Sequence, residues 1–426
     1  MGVLTAQDFA ESVPTPEAAA LYSELLPAGL DARYDGEGLL YGVRAFTTYD
    51  SNVFLSEPDP QGALSVNFSP WAQYSSAPPG GAEWILNGRY SPFFRWFATQ
   101  DELSSIDHSG EMSLSYEGPR LGFRTSAGYS RVNAADRFAG GRFTNERFTT
   151  EFLGGYYVSD RSILQCQLAA GSFAARLNET QTYLAQLTAF WQVTPLIRLG
   201  PALRYTARDS NITGDANSLG LLVSAAYDLT DLVEVTAALG VEQIDQSLAT
   251  GADGGRVTGA LSASYDAPDL PWSARLVLDY GAVQSMGSSS RFGAGGESPW
   301  TGRFSVRYAF AEFWALNFSM RYESFPSPSA TGVSIDDFTV SGSATRSVGN
   351  NRLRGGVSVS LAEFTSLADS ATPIDDQKTY SAFLTHRIGV FEERFYIDSS
   401  VRYSNNRGRG GDWSRWQITT GINFIF

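Results

Sequence analysis

Long apolar runs are missing from this chain. Its 426 residues never string together the roughly 20 consecutive apolar side chains that a membrane-crossing helix needs, and the mean hydropathy is -0.16. A bundle of transmembrane helices is therefore excluded. Histidine is nearly absent. Of the two, His108 lies in a stretch, Ser104 to Ser109, that reads as a long loop beside Asp107, and His386 falls on an apolar strand face. Adjacency of Ser, His and Asp along a chain is weak grounds for a catalytic relay, which is defined by geometry. No Cys/His cluster has metal-ligand spacing, and Gly254-Gly255 and Gly293 to Gly296 read as loop glycines without a strand-to-helix context. The expectation is a protein that is not an enzyme and holds no cofactor and no metal. One cysteine, Cys166, leaves no internal disulfide and reads as a small hydrophobe on a lipid-facing strand. Lysine occurs once, as Lys378, so arginine carries nearly all the positive charge. The formal net charge of -14 argues against nucleic acid as a partner, because phosphates demand basic patches.

Residues 1–36 differ in pattern from the remainder of the chain and form a separate segment. Thr15, Pro16 and Glu17 are the start signal of a helix: a capping hydroxyl, a proline in the first turn, a carboxylate complementing the dipole. A short helix over 14–26 is expected, ending at Pro27-Ala28-Gly29, and serving either as a plug or as a periplasmic handle; a leader without fixed structure is the other reading. The chain opens without a basic and apolar secretory signal, so an exported form is expected to have lost one, with Met1 and Gly2 in its place.

From Leu39 onward the pattern has period two. Glu111 to Glu117 alternates without fault, and Leu219 to Tyr227 does so with one fault, at Leu222. Val233, Val235, Ala237, Leu239 and Val241 share one face while Glu234, Thr236, Ala238, Gly240 and Glu242 share the other. Alternation alone fits a soluble sandwich equally well; the links between strands separate the two. Tight links such as 158–161, 193–196, 229–232, 310–313 and 391–394 alternate with long polar ones at 207–217, 245–256, 284–299, 325–337, 365–377 and 405–413. Short turns on one side and long loops on the other are how outer-membrane barrels are built. Residues 37–426 thus read as an all-β, transmembrane, antiparallel up-and-down barrel of about 20 strands, or about 18 if the uncertain first strands before Phe97 are fewer.

Aromatic spacing supports a membrane setting. Trp272 and Tyr280 lie eight residues apart on one face, as do Trp314 and Tyr322, Phe395 and Tyr403, Tyr183 and Trp191, Phe148 and Tyr156, and Trp300 and Tyr308. Eight steps of about 3.3 Å, tilted by about 40°, span roughly 20 Å of height, close to an apolar band flanked by aromatic girdles. Trp272, Trp314 and Phe395 are expected at the periplasmic rim and their partners at the outer rim. The last strand presents Trp416, Ile418, Thr420, Ile422, Phe424 and Phe426 outward. Ile418, Ile422, Phe424 and Phe426 resemble the carboxy-terminal signal that barrel-assembly machinery reads. The implied setting is the bacterial outer membrane, with its lipid and lipopolysaccharide as neighbours.

The stretch Tyr49-Asp50-Ser51-Asn52-Val53-Phe54 resembles an element early in a family of outer-membrane β-barrel porins often linked to exopolysaccharide secretion or assembly. The resemblance implies a transport or export pore and fixes no substrate. Asp50 and Asn52 share the inward face near the outer rim, where they could hold a cation or sugar hydroxyls, or simply end a strand.

The inward faces collect charge. Arg44, Arg89, Arg124, Arg204, Arg275, Arg303, Arg307, Arg321, Arg354 and Arg402 point into the lumen by the alternation, with Glu151, Glu234, Asp279, Glu323 and Asp398. Such a wall must be watered or internally paired. It suggests a pore for polar solutes, including polysaccharide, biased toward anions. The rival reading is a structural anchor with a filled lumen, binding a periplasmic protein partner through its leader or loops. Loops 97–111, 131–147 and 284–299 and the leader are the segments that could narrow the lumen.

Overall fold

The computed structural model describes residues 38–56, 59–76, 84–135, 142–174, 179–211, 215–230, 232–246, 254–266, 271–280, 300–311, 313–326, 333–366, 373–391, 394–408 and 411–426. The expected leader helix at 14–26 and the whole 284–299 loop lie outside them.

Twenty antiparallel strands form one sheet in which each strand pairs with the next. The first, β1 (Gly38–Asp50), pairs with the last, β20 (Trp413–Ile425), from Gly42 opposite Ile425 to Asp50 opposite Gln417. The sheet is thereby closed on itself. Closure is what lets strands cross lipid, where an open edge would strand N–H and C=O groups without water to bond them. The even count places the start of β1 and the end of β20 on one side, and the opening strands that the sequence left uncertain are three: β1, β2 (Ala63–Ser75) and β3 (Trp84–Phe97).

The faces are inverted relative to a soluble protein. On β10 (Ala216–Thr230), Leu219, Leu221 and Val223 are 53%, 61% and 65% exposed, whereas Ser218 and Ser224 on the opposite face are buried. The same inversion recurs along β8 (Glu179–Gln192), β9 (Ile197–Ser210), β11 (Val233–Gln246) and β20. Soluble proteins rarely expose contiguous apolar patches beyond a few hundred Å². This outer face encircles the molecule, so its solvent is lipid, and the protein resides in the bacterial outer membrane.

The aromatics of the expected girdles face outward and keep the expected order along their strands. Trp272 opens β13 (Trp272–Tyr280) and Trp314 opens β15 (Trp314–Pro326), both next to the short turns, and Phe395 opens β19 (Phe395–Gly408) likewise. Tyr280, Tyr322 and Tyr403 stand at the opposite rim. Tyr265 stacks on Trp272 at 4.0 Å between ring centres, and Tyr403 lies 4.7 Å from Trp416. Cys166 sits on the outward face of β7 (Ser162–Ala174), opposite Leu187, and His386 faces outward on β18 (Pro373–Phe391).

Four expectations about links change. The strands run further than apolar alternation showed: β9 reaches Ser210 and β10 begins at Ala216, inside the link placed at 207–217. Polar side chains on both faces carry no alternation signal, yet the backbone ladder continues through them above the apolar band. Likewise β5 (Leu121–Ala135) and β6 (Arg142–Ser159) take up most of 131–147, and Gly254 and Gly255 open β12 (Gly254–Asp266) rather than lying in a loop. The supposed loop 97–111 is mostly β4 (Ser105–Glu117), joined to β3 by a single 3-10 turn, Asp101–Leu103.

The seam between β1 and β20 has a fastener at each end. At the periplasmic end the Phe426 N–H donates to the Tyr41 carbonyl at 2.8 Å, and the two rings stack at 5.2 Å. At the outer end Arg415 clasps Asp50 through Nε at 2.9 Å and Nη2 at 2.5 Å. Asn52 accepts from the Ser56 N–H and donates to the Ser414 carbonyl, while the Trp416 N–H donates to the Ser51 hydroxyl. This loop of Asn52 holds Leu55 at φ 56, a left-handed conformation that leucine seldom adopts. Val53 and Leu55 are buried, Val53 in a cluster with Ala63, Phe97 and Leu103. The motif Tyr49 to Phe54 is thus a clasp joining the two ends of the barrel. Of the two readings of Asp50 and Asn52, the polar strand end fits this geometry, in which Arg415, Gln417 and the backbone at Ser56 and Ser414 engage their polar atoms.

Breaking a largely buried pair leaves a charge uncompensated, at a cost of about 3 kcal/mol. Arg415→Ala is expected to lower the temperature at which the folded band disappears in heat-modifiability gels, and Asp50→Ala to do the same. The double variant should lose less than the sum; strict additivity would show that the two side chains are not coupled. Phe426→Ala removes the ring from Tyr41 at the other fastener. It should lower the amount of folded barrel recovered from outer membranes more than it lowers refolding of purified chain in detergent; equal losses would mean a packing role alone.

Candidate functional site: the luminal wall

Because side chains alternate across a strand, every second residue of this barrel faces the lumen. Cross-strand partners share a face, so buried Thr258, Thr301, Thr339 and Ala169 fix the sense for their neighbours. By this register Arg44, Arg89, Arg124, Arg204, Arg275, Arg303, Arg307, Arg321, Arg354 and Arg402 stand on the inward face, as do Glu151, Glu234, Asp279, Glu323 and Asp398. The register adds Arg95, Arg198, Arg208, Arg387 and Arg415, and the carboxylates Asp50, Asp107, Glu111, Glu242 and Asp337. Alternation had already put Glu242 on the face of Glu234. Asp50 and Asp337 stand at the polar strand tips, where the apolar half of the pattern gives out.

These charges are organised into separate networks. In one, Arg204 donates to the Thr258 hydroxyl at 2.6 Å and approaches Glu242 at 3.6 Å, while the Ser218 hydroxyl donates to Glu242. Glu242 is 1% exposed, so its charge depends on these partners. In a second, Glu323 lies 3.5 Å from Arg321 and 3.9 Å from Arg303, Arg321 reaches Asp337 at 3.8 Å, and Asp337 accepts from Ser360 and Thr339. A third, nearer the periplasm, holds Asp398 against Arg387 through two bonds of 2.7 and 3.1 Å. Asp398 and Arg402 share a face, but the partner that grips Asp398 comes from β18. In a fourth, Arg198 binds Asp228 at 3.1 Å and reaches Glu234 at 3.7 Å. Arg307, exposed on the inward face, has no ion-pair partner among the described residues.

The wall beside the seam has another character. Phe46, Phe93 and Val132 form a cluster, with Phe46 and Phe93 5.6 Å apart. Arg44 stacks over Phe46 at 4.5 Å and Arg95 over Phe93 at 5.0 Å. Trp71 lies against Gly42 so closely that a Cβ there would stand 2.6 Å from its ring, and a Cβ on Gly421 would collide with Phe46. These two inward glycines make the room that the aromatic rings occupy. Sequence reading missed this patch because rings on the polar face of a barrel break the alternation they belong to.

His108 and Asp107 end on opposite sides of the wall. Asp107 faces the lumen and accepts from the Asn133 N–H at 2.9 Å; His108 faces lipid, with its Nδ1 2.8 Å from the Tyr90 hydroxyl. A loop assignment for His108 is corrected, and the pair cannot act on one proton. Among the described residues no group of three or more His, Cys, Asp or Glu side chains is placed to hold a metal ion.

No protein-family model and no curated protein matches the chain in sequence. Several solved outer-membrane proteins resemble it in structure. The FrpB iron transporter of Neisseria meningitidis (F3-3 variant) is 9% identical, with 92% of this chain and 82% of that one covered and a TM-score of 0.48. The siderophore receptor PirA from Pseudomonas aeruginosa is 10% identical over 92% of this chain and 81% of its own, at a TM-score of 0.43. The copper transporter OprC is likewise 10% identical, with the same coverage and the same score.

Proposed function

We propose that this barrel is an outer-membrane conduit for polar solutes, with a weak preference for anions. The observation that carries the reading is the inward arginine set on β13, β14 (Trp300–Ala311) and β15: Arg275, Arg303 and Arg307, with Arg321 beside them. Net charge counts every residue, but a permeating ion feels the wall within a Debye length of about 8 Å at physiological salt. The carboxylates facing inward neutralise part of the wall and leave an excess of arginine. Polysaccharide, the cargo that the resemblance at Tyr49 to Phe54 implies, fits as a substrate class: hydroxyl-rich chains meet Ser, Thr, Asn and arginine here, with aromatic faces beside the seam. A second reading, a structural anchor with a filled lumen, is favoured by the luminal aromatics near the seam, which are shielded from water.

Reversal potentials in planar bilayers under a salt gradient test the conduit. The wild-type barrel is expected to favour anions weakly, and more strongly at low salt. Replacing Arg303, Arg307 and Arg321 by serine should move the permeability ratio severalfold toward cations, because Glu323 and Asp337 lose their counter-charges. A wild-type pore that favours cations would overturn the selectivity, and a full-length and leader-deleted barrel that both fail to conduct would favour the anchor. Liposome swelling with acidic against neutral oligosaccharides tests the substrate class; equal rates would remove the anionic preference for sugars.

A further inference from the structure

We propose that the outward face of β18 and β19, at the outer rim, carries a site for the phosphate of an outer-leaflet glycolipid, gripped by Lys378 and Arg407. The proposal needs the outer-membrane setting and is independent of the conduit reading. Lys378 stands directly opposite Arg407 across the β18–β19 pairing. Both are exposed, and they share the lipid-facing side with Tyr380, Leu384 and Val401; Gln377 and Asn406, next to them in the chain, are the buried luminal residues. Among the described residues neither Lys378 nor Arg407 forms a hydrogen bond, an ion pair or a ring contact. Arg131, outward at the same rim, is by contrast paired with Glu146 at 3.2 Å. Directly opposed residues have Cβ atoms about 4.5–5.5 Å apart, and like charges placed so repel. A shared anion removes that repulsion. A phosphate has oxygens enough for both the guanidinium fork and the ammonium. Lys378 is also the one lysine of the chain, and its flexible stem lets the charge rise from an apolar face into water.

Height along the strand selects the ligand. Lys378 lies two residues beyond Tyr380, on the side away from the short turn at 391–394. Two steps of about 3.3 Å on a strand tilted by about 40° raise it roughly 5 Å above that ring. The polar layer of a leaflet starts at the aromatic girdle and is about 5–8 Å deep. The pair therefore stands in the headgroup layer, with Tyr380, Tyr403 and Trp416 at its lower edge. Below them Leu384, Val401 and Ile418 present an apolar wall to acyl chains. One rung further out, Glu363 on β17 (Asn351–Ser366) stands opposite Asp376, both on the outward face. These carboxylates repel a second phosphate at that height, and the exposed Glu363 can accept from a sugar hydroxyl. Acyl chain, phosphate and sugar in that order describe a phosphorylated glycolipid. A phospholipid brings no sugar to Glu363, and a free phosphate brings no chain to the apolar wall.

Native mass spectrometry of the full chain tests the site. Folded barrel, stripped of lipid in detergent and checked by heat-modifiability gels, is titrated with lipid A carrying its phosphates. The double variant Lys378→Gln, Arg407→Gln is expected to bind about tenfold more weakly than the wild type. Lys378→Arg, which keeps the charge, should bind as the wild type does. Arg346→Gln, which removes an outward arginine beside Trp314 at the periplasmic rim, should also leave binding unchanged. Dephosphorylated lipid A should bind the wild type no better than intact lipid A binds the double variant. Equal binding of intact lipid A to the wild type and to the folded double variant overturns the proposal. Inorganic phosphate that displaces lipid A at equal concentration also overturns it, since the site would then take a free anion. Phosphatidylglycerol bound as tightly as lipid A overturns it too, since any anionic lipid would then serve.

Discussion

Everything in this molecule depends on the pairing of its first strand with its last. In hydrocarbon an unpaired backbone N–H or C=O costs several kcal/mol, and a sheet edge would present a full row of them. The chain therefore has to bring together segments from its two ends before any other strand is safe in lipid. The two seam glycines, the Asp50–Arg415 clasp and the Phe426–Tyr41 stack are all local answers to that demand. They are concentrated where the closure entropy is largest and where no hairpin turn sets the register.

Closure in turn fixes the faces. A slip of one residue at the seam would send Arg44 toward lipid and Val43 toward the lumen, and the error would run along every rung of β1. At the seam such a slip would part Asp50 from Arg415, and elsewhere in the wall a slip of the strand carrying Glu242 or Asp337 would leave a buried, uncompensated carboxylate. The same side chains that shape the electrostatics of the lumen thus also specify the strand register. The apolar outer face specifies which way the sheet curls, because lipid accepts leucine and valine and rejects arginine.

Much of this was legible in the sequence, for a physical reason. Alternation at Val233 to Glu242, the eight-residue aromatic spacing and the outward run ending at Phe426 are each imposed by lipid on one side and water on the other, so they appear wherever the strand lies within the apolar band. Above that band both faces are wet and the constraint lapses. The tips of β5, β6, β9 and β10 therefore looked like loops, and so did the opening of β4, which carries His108. The clasp on Asp50 was hidden because Arg415 lies at the far end of the chain and nothing local ties the two. The luminal rings were hidden because Phe46 and Phe93 contradict the polar face on which they stand.

The two fasteners of the seam are built from different materials, and this gives the barrel a direction of failure. The outer one is ionic and hydrogen-bonded, with Asp50 buried and Arg415 only partly exposed beside the outer rim; the periplasmic one is a stack of rings at the lipid boundary. Agents that compete for charge loosen the seam from above, and agents that dissolve hydrocarbon loosen it from below. A force applied across the wall would therefore unzip the same pair of strands from opposite ends in brine and in detergent, so mechanical strength measured in one medium does not carry over to the other.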